Sequence, residues 1–335
     1  MSMKQTLAAG MLLLMLLFLP PWLRAEESAP KTDAAPTPLQ TEQAAPEDGA
    51  GSDAAHTVRL WHDGAVETMT AAEYLRSVVR GEMPATFEEE ALKAQAAAER
   101  TYLYYRMAAG PKATHPDADV CTDSACCTAW LSEADARAKW GDKFDQYEVK
   151  IDQAVADTDG QVVLYDGAPI MAVFHSSSAG ATAASGDVWA AELPYLVSVK
   201  SPETEEGIPN YHSVNTFTAK EFRSIFCKAH PDAQLSGDPD GWIKDVTLTD
   251  AGRVASAAVG GVSVTGKELR TLYNLRSTAF TVEASGDSVT FRVTGYGHGV
   301  GMSQYGANEL AKEGKTWQDI LQWYYTGVTI GLYNG

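Results

Sequence analysis

Three groups of residues in this chain have the types and spacing to do chemistry. The first surrounds an acid, in Val78-Val79-Arg80-Gly81-Glu82-Met83-Pro84. The pattern before it predicts a short helix that Gly81 stops, so Glu82 falls just past a helix C-terminus. The carbonyl end of the helix dipole disfavours a carboxylate there. Val79 and Met83 flank it with apolar surface, and partial burial would raise its pKa. A carboxyl that keeps its proton near neutral pH is what general acid catalysis needs. Pro84 restricts the chain immediately after it. On local physics alone, a surface glutamate in a loop is the readier reading of Glu82.

The second group is His115, Cys121, Cys126 and Cys127. Three thiolates and one imidazole satisfy tetrahedral Zn²⁺, and four protein ligands make a closed, structural site. A zinc hydrolase is disfavoured, because no coordination position stays open. The spacing is not that of a zinc finger. A disulfide within this loop, or to Cys227, is the alternative outside the cytoplasm.

The third group is split along the chain. Phe174-His175-Ser176-Ser177-Ser178 ends an apolar run with an imidazole and hydroxyls, but the Gly-x-Ser-x-Gly elbow of a hydrolase nucleophile is missing. His175, Ser176 and Ser177 read as donors to a sugar, with His175 equally readable as a satisfied strand-end histidine. Gly295-Tyr296-Gly297-His298-Gly299-Val300-Gly301 is not a dinucleotide loop, because Val300 stands where the third glycine belongs. Its glycines suit a tight loop close to a ligand. Tyr296 is then a candidate stacking ring, and His298, Ser303 and Gln304 are candidate substrate contacts.

The elements that must position these groups are partly legible. Thr70-Ala71-Ala72-Glu73 and Thr86-Phe87-Glu88-Glu89 are capping-box patterns. The first opens the short helix before Glu82, and the second a long Ala-rich helix to about Met107. Strands are expected over 57–62, 148–156, 162–165, 170–175, 195–199, 246–249, 255–259, 262–264, 281–284 and 289–294. Helices are expected over 267–273, 303–312 and 317–325. Helices, then many antiparallel strands, then helices again argue for an α+β fold with a cleft between lobes.

Lys4 and the apolar run 7–23 predict a membrane anchor or a signal segment over 1–25, with the chain beyond it extracytoplasmic. Residues 26–55, rich in Ala, Pro, Glu and Thr, predict a disordered tether, and 56–335 the folded domain. The 44 acidic and 26 basic residues give a net charge of -18. No basic patch stands out, so nucleic acid is an excluded partner. Nothing implies an organic cofactor.

Gly81-Glu82-Met83-Pro84, followed by Glu90-Ala91-Leu92-Lys93-Ala94-Gln95-Ala96-Ala97-Ala98-Glu99-Arg100-Thr101-Tyr102, closely resembles the signature of the stage II sporulation protein D family. The blocks 174–182 and 297–307 resemble that family's later motifs, in family order. The resemblance implies a peptidoglycan lytic transglycosylase in which Glu82 is the catalytic acid. The products would be 1,6-anhydromuramoyl ends, cut from glycan strands already stripped of stem peptides during engulfment in sporulation. It implies stage II sporulation proteins P and M as partners, a zinc site in the Cys-containing loop, and Arg100 as a support for the acid or the glycan. A related group, the amidase enhancers, implies the alternative: a non-catalytic glycan-binding protein that activates an amidase.

Overall fold

A computed structural model describes residues 51–333. The expected membrane segment over 1–25 and the tether residues 26–50 lie outside the described residues. Among the described residues no helix is long and apolar enough to cross a membrane.

The first lobe begins with an antiparallel hairpin, β1 (Thr57–His62) and β2 (Ala65–Thr70), with the two-residue β3 (Val120–Cys121) parallel to β1. Thr70 then caps α1 (Ala71–Glu82). Its side chain accepts from the Glu73 N–H, and the Glu73 carboxylate accepts from the Thr70 N–H, as the capping-box pattern predicts. Tyr74, Leu75, Val78 and Val79 form its buried face. Gly81 does not stop the helix. Glu82 is its last residue, and Met83 is the cap.

The long helix α2 (Glu89–Ala109) is buried on most of its surface. Its small side chains, Ala91, Ala94, Ala96, Ala97 and Ala98, allow neighbours to pack closely around it. The expected Thr86 capping box does not form. A turn closed by the Phe87 N–H on the Pro84 carbonyl delays the helix, and the N-cap is Glu88 with no side-chain bond.

The strand expected over 148–156 is instead helix, α4 (Phe144–Asp157), preceded by α3 (Glu133–Trp140). Tyr147, Val149 and Ile151 alternate like a strand. Burial follows the helical period instead, through Phe144, Ile151, Ala154 and Val155, and leaves Val149 66% exposed. The run 195–199 is also not a strand; Tyr195 lies in a turn, and 196–199 form no ladder. β4 (Gln161–Tyr165) pairs with β5 (Ala168–Pro169) and with β14 (Thr329–Leu332). β6 (Phe174–His175) is shorter than expected and pairs in parallel with β13 (Met302–Ser303). The terminal helices α7 (Gln304–Lys312) and α8 (Trp317–Tyr324) return to the first lobe and pack on α2.

Between β6 and β13 lies a second lobe with its own core. It holds β7 (His212–Thr218), α5 (Ala219–Ala229), β8 (Ile243–Leu248), β9 (Val254–Val259), β10 (Val262–Thr265), α6 (Gly266–Leu272), β11 (Phe280–Ser285) and β12 (Ser288–Thr294). Two antiparallel sheets, in the orders β11-β12-β7 and β10-β9-β8, enclose Phe222, Phe226, Trp242, Tyr273 and Phe291. The Phe222 and Tyr273 rings stack with centroids 4.6 Å apart. The fold is α+β, as the order of elements predicts.

The last residues of the expected tether, 51–55, join the first lobe. Asp53 is 2% exposed and pairs with Arg100 through both carboxylate oxygens, at 2.7 and 2.6 Å. A tether pattern is compositional, and one buried carboxylate inside it left little compositional trace.

Candidate functional site

A cleft of 590 Å³ runs from the end of α1 to the Gly-rich loop and reaches α6 of the second lobe. Glu82 is the one acid among its lining residues. The side chain is half-buried, and burial raises its pKa above the ordinary carboxylate value; the Ala129 N–H and the Gln304 amide offset part of that rise. Ala129 donates its backbone N–H to Oε1 of Glu82 at 2.5 Å. Gln304, the first residue of α7, donates from Nε2 to the Glu82 carbonyl at 3.0 Å and so fixes the helix end.

Position 81 explains how Ala129 gets so close. A Cβ on Gly81 would lie 2.9 Å from both the carbonyl carbon and oxygen of Ala129. The glycine read as a helix stop is therefore a site of close approach.

Glu99, on α2, is a second carboxyl that feels the charge of Glu82 and that no sequence motif marks. It is 1% exposed. Gln95 donates to its Oε1 at 3.1 Å, and Oε2 has no partner among the described residues. Burial, then the negative charge on Glu82, pushes its pKa well above the usual range. Glu82 ionises first, and Glu99 keeps its proton. The sequence shows only a glutamate directly after Ala96-Ala97-Ala98, which says nothing of its burial.

Of the predicted contacts, His175, Ser176, Tyr296, His298 and Gln304 line the cleft. The His175 ring donates from Nδ1 to the Val300 carbonyl at 3.2 Å, since a carbonyl can only accept, and Nε2 accepts from Ser178 Oγ at 2.7 Å. Burial, with the neighbouring His298 and Arg253, holds His175 well below the ordinary histidine pKa, so it is neutral. Burial and the charges of Arg270 and Arg253 lower His298 to about 4. Tyr296 is 46% exposed at the rim, with the Arg276 guanidinium 4.0 Å above its ring. Tyr102, Thr128 and Arg270 also line the cleft and were not anticipated.

Three expected contacts do not line the cleft. Ser177 is buried and bonds through its backbone to Tyr296. Ser303 is buried, caps α7 and donates to Oε1 of Glu203. Arg100 is fully buried, and all five of its N–H groups are engaged, by Asp53, Thr158 Oγ1 and the carbonyls of Gln161 and Val155. It clamps the first lobe and has no donor left for the acid or a glycan.

The Cys-containing loop closes on itself. One donor atom from each of His115, Cys121, Cys126 and Cys127 lies within 4.8 Å of the others. His115 Nδ1 bonds the Ala118 carbonyl at 3.2 Å and leaves Nε2 facing Cys127 Sγ at 3.7 Å. That bond orients the imidazole as a metal ligand requires. All four cysteines are free, and Cys227 sits apart, against the core of the second lobe. The donor set and its spacing fit a tetrahedral metal. Ser124, Ala125, Cys127, Thr128 and Ala129, from the same loop, form one wall of the cleft.

Residues 62–165 match the family described as "Stage II sporulation protein". The chain is 38% identical over 265 residues to stage II sporulation protein D of Bacillus subtilis (strain 168), covering 79% of this chain and 75% of that protein. The chain belongs to the stage II sporulation protein D family. The family member of Bacillus amyloliquefaciens is 37% identical over 79% of this chain and 75% of its own length. The amidase enhancer of Bacillus subtilis (strain 168) is a more distant relative, 29% identical over 77% of this chain and 40% of its own. The matched segment 62–165 holds Glu82, Glu99 and the four candidate metal ligands.

Proposed function

We propose that this family member is a lytic transglycosylase acting on peptidoglycan strands stripped of their stem peptides. The observation that carries the reading is Glu82, a half-buried carboxyl with a raised pKa that is the one acid lining the cleft. Ordinary glycosidases flank the scissile bond with two carboxyl groups. A single acid suffices where the nucleophile is the sugar's own hydroxyl. Glu82 gives its proton to the glycosidic oxygen between N-acetylmuramic acid and N-acetylglucosamine, and the C1–O bond breaks. The Glu82 carboxylate then takes the proton of the muramic 6-hydroxyl as that oxygen bonds to C1. The 1,6-anhydro ring forms without water, and Glu82 ends protonated, ready for the next bond. Its Ala129 hydrogen bond stabilises the carboxylate between the two steps.

Ser176, His298 and Gln304 supply neutral hydrogen-bonding groups to the sugars, and Tyr296 offers a ring at the rim; His175, with both ring nitrogens engaged by Val300 and Ser178, holds the cleft wall in place. The Cys-containing loop holds a structural Zn²⁺ through His115, Cys121, Cys126 and Cys127. When bound, the metal fixes the wall that carries Ala129; the chemistry at the glycan belongs to Glu82. The domain works outside the cytoplasm, tethered to the membrane by the segment over 1–25, with stage II sporulation proteins P and M as partners in engulfment.

The test is incubation of the soluble domain with stripped glycan strands and detection of anhydromuramoyl ends. Glu82→Gln is expected to lower the rate by about 10²–10⁴-fold. Wild-type protein that binds strands and leaves no such ends would end the enzyme reading. The similarity to an amidase enhancer favours a second reading, a glycan-binding activator of an amidase. That reading predicts amidase stimulation by Glu82→Gln equal to wild type.

A further inference from the structure

A second cavity, of 250 Å³, adjoins the cleft and shares Arg270 and His298 with it. Arg253 lines it. This residue is 2% exposed, and its Nε, Nη1 and Nη2 have no hydrogen-bond partner among the described residues. Buried side-chain donors are nearly always matched, and a guanidinium presents five of them. The surroundings make room for it. Gly299 has a φ of +88°, and a Cβ there would lie 2.3 Å from Cζ of Arg253. Arg270 and Lys267, both on α6, line the same cavity, against one acid, Asp187. The buried carboxylate of Glu203 offsets part of the Arg253 charge but makes no hydrogen bond to it: Oε1 accepts from the Ser178 N–H at 2.6 Å and from Ser303 Oγ, and Oε2 has no partner among the described residues.

We propose that this cavity is a carboxylate subsite, in which Arg253, with Arg270 and Lys267, takes the free lactyl carboxylate of a muramic acid residue in the adjoining cleft. The inference rests on the glycan-cutting reading above. In a strand that keeps its stem peptides, the lactyl carboxyl is an amide, neutral and joined to a chain of amino acids. In a stripped strand it is an anion on each muramic acid. A planar guanidinium binds a carboxylate through two parallel hydrogen bonds. A cavity of this size sits below the range that encloses larger ligands, so it admits a lactyl group and not a peptide. The subsite therefore selects stripped strands by charge and by size.

Binding is measured with Glu82→Gln protein, which leaves the strands uncut. The probes are stripped strands and the same strands with each lactyl carboxylate converted to a methylamide. The carboxylate strands are expected to bind about 10- to 100-fold tighter. Arg253→Gln should remove that preference while binding of the methylamide strands changes little, which also reports an intact fold; Arg270→Gln, which also alters the cleft wall, should remove the preference as well. Equal binding of both strands by the parent protein, or a preference that survives both arginine substitutions, overturns the subsite. So does competition by inorganic phosphate that exceeds competition by lactate, since the ligand would then carry phosphate. Wild-type protein that prefers carboxylate strands yet forms no anhydro ends would overturn the reaction and leave the subsite standing.

Discussion

The backbone N–H of Ala129 lies 2.5 Å from Oε1 of Glu82, across 47 positions of sequence. The contact depends on the glycine beside the acid, because a Cβ at position 81 would press on the Ala129 carbonyl at 2.9 Å. Gly81→Ala should push the 128–130 segment away. The expected cost is about 1–3 kcal/mol of stability, as for other overpacked sites. Loss of a hydrogen bond that favours the carboxylate should also raise the Glu82 pKa further. The apparent pKa of the alkaline limb of the pH–rate profile then moves up. A Gly81→Ala protein with an unchanged profile would show that Ala129 does not tune the acid.

Arg100 separates a structural role from a substrate role. Its five donors are all bound inside the first lobe. Arg100→Met strands the Asp53 carboxylate, which is 2% exposed, without a cation. Removing one partner of a buried pair costs about 3–5 kcal/mol. Urea unfolding should show a loss of that order, while KM for glycan strands in the folded protein stays at the wild-type value. A raised KM with unchanged stability would return Arg100 to the cleft.

What the sequence revealed and what it hid divide along physical lines. Thr70 and Glu73 carry a reciprocal cap in four adjacent residues, so that helix start was legible. Thr86 and Glu89 carry the same letters, but the turn at Pro84–Phe87 takes Thr86 first, and Glu89 becomes the first residue of the helix. The alternation at Tyr147, Val149 and Ile151 misled because burial against α2, a tertiary matter, decides the period there. Glu82, His175, His298 and Gln304 were legible through motif blocks, and they do meet in one cleft. Arg100 sits in the same motif yet serves the fold, and motif membership does not distinguish the two. Glu99 and Arg253 stayed hidden, since what marks each is burial without a full set of partners, and burial is written in the whole fold.

The Cys-containing loop bears on the acid through the chain, since Ala129 is two residues beyond Cys127. Purified protein should carry about one zinc per chain, as expected of a closed four-ligand site. Stripping it with a strong chelator should lower the melting temperature by several degrees and reduce the cutting rate, with recovery on adding zinc back. Cys126→Ser should reproduce both losses. Protein free of metal as purified, whose melting is indifferent to chelator, would remove the metal from this account.

Glu99 makes the stability of the first lobe depend on pH. Its carboxyl keeps its proton in the folded protein well above the ordinary carboxylate value that describes the unfolded chain. Below that value both states are protonated, and the contribution of the buried neutral group is complete. As pH rises above it, the unfolded chain releases a proton that the folded chain retains. Stability then falls by up to about 1.4 kcal/mol per pH unit, until the folded group ionises too. Glu99→Gln mimics the protonated form and removes this loss. Unfolding by urea from about pH 5 to about pH 8 should therefore show Glu99→Gln gaining on wild type as pH rises. Near neutral pH the same variant should still cut strands, in contrast to Glu82→Gln, because amide and protonated carboxyl occupy the site alike. Parallel stability curves for the two proteins would mean that Glu99 is ionised in the folded state, and would reverse the order in which the two glutamates give up their protons.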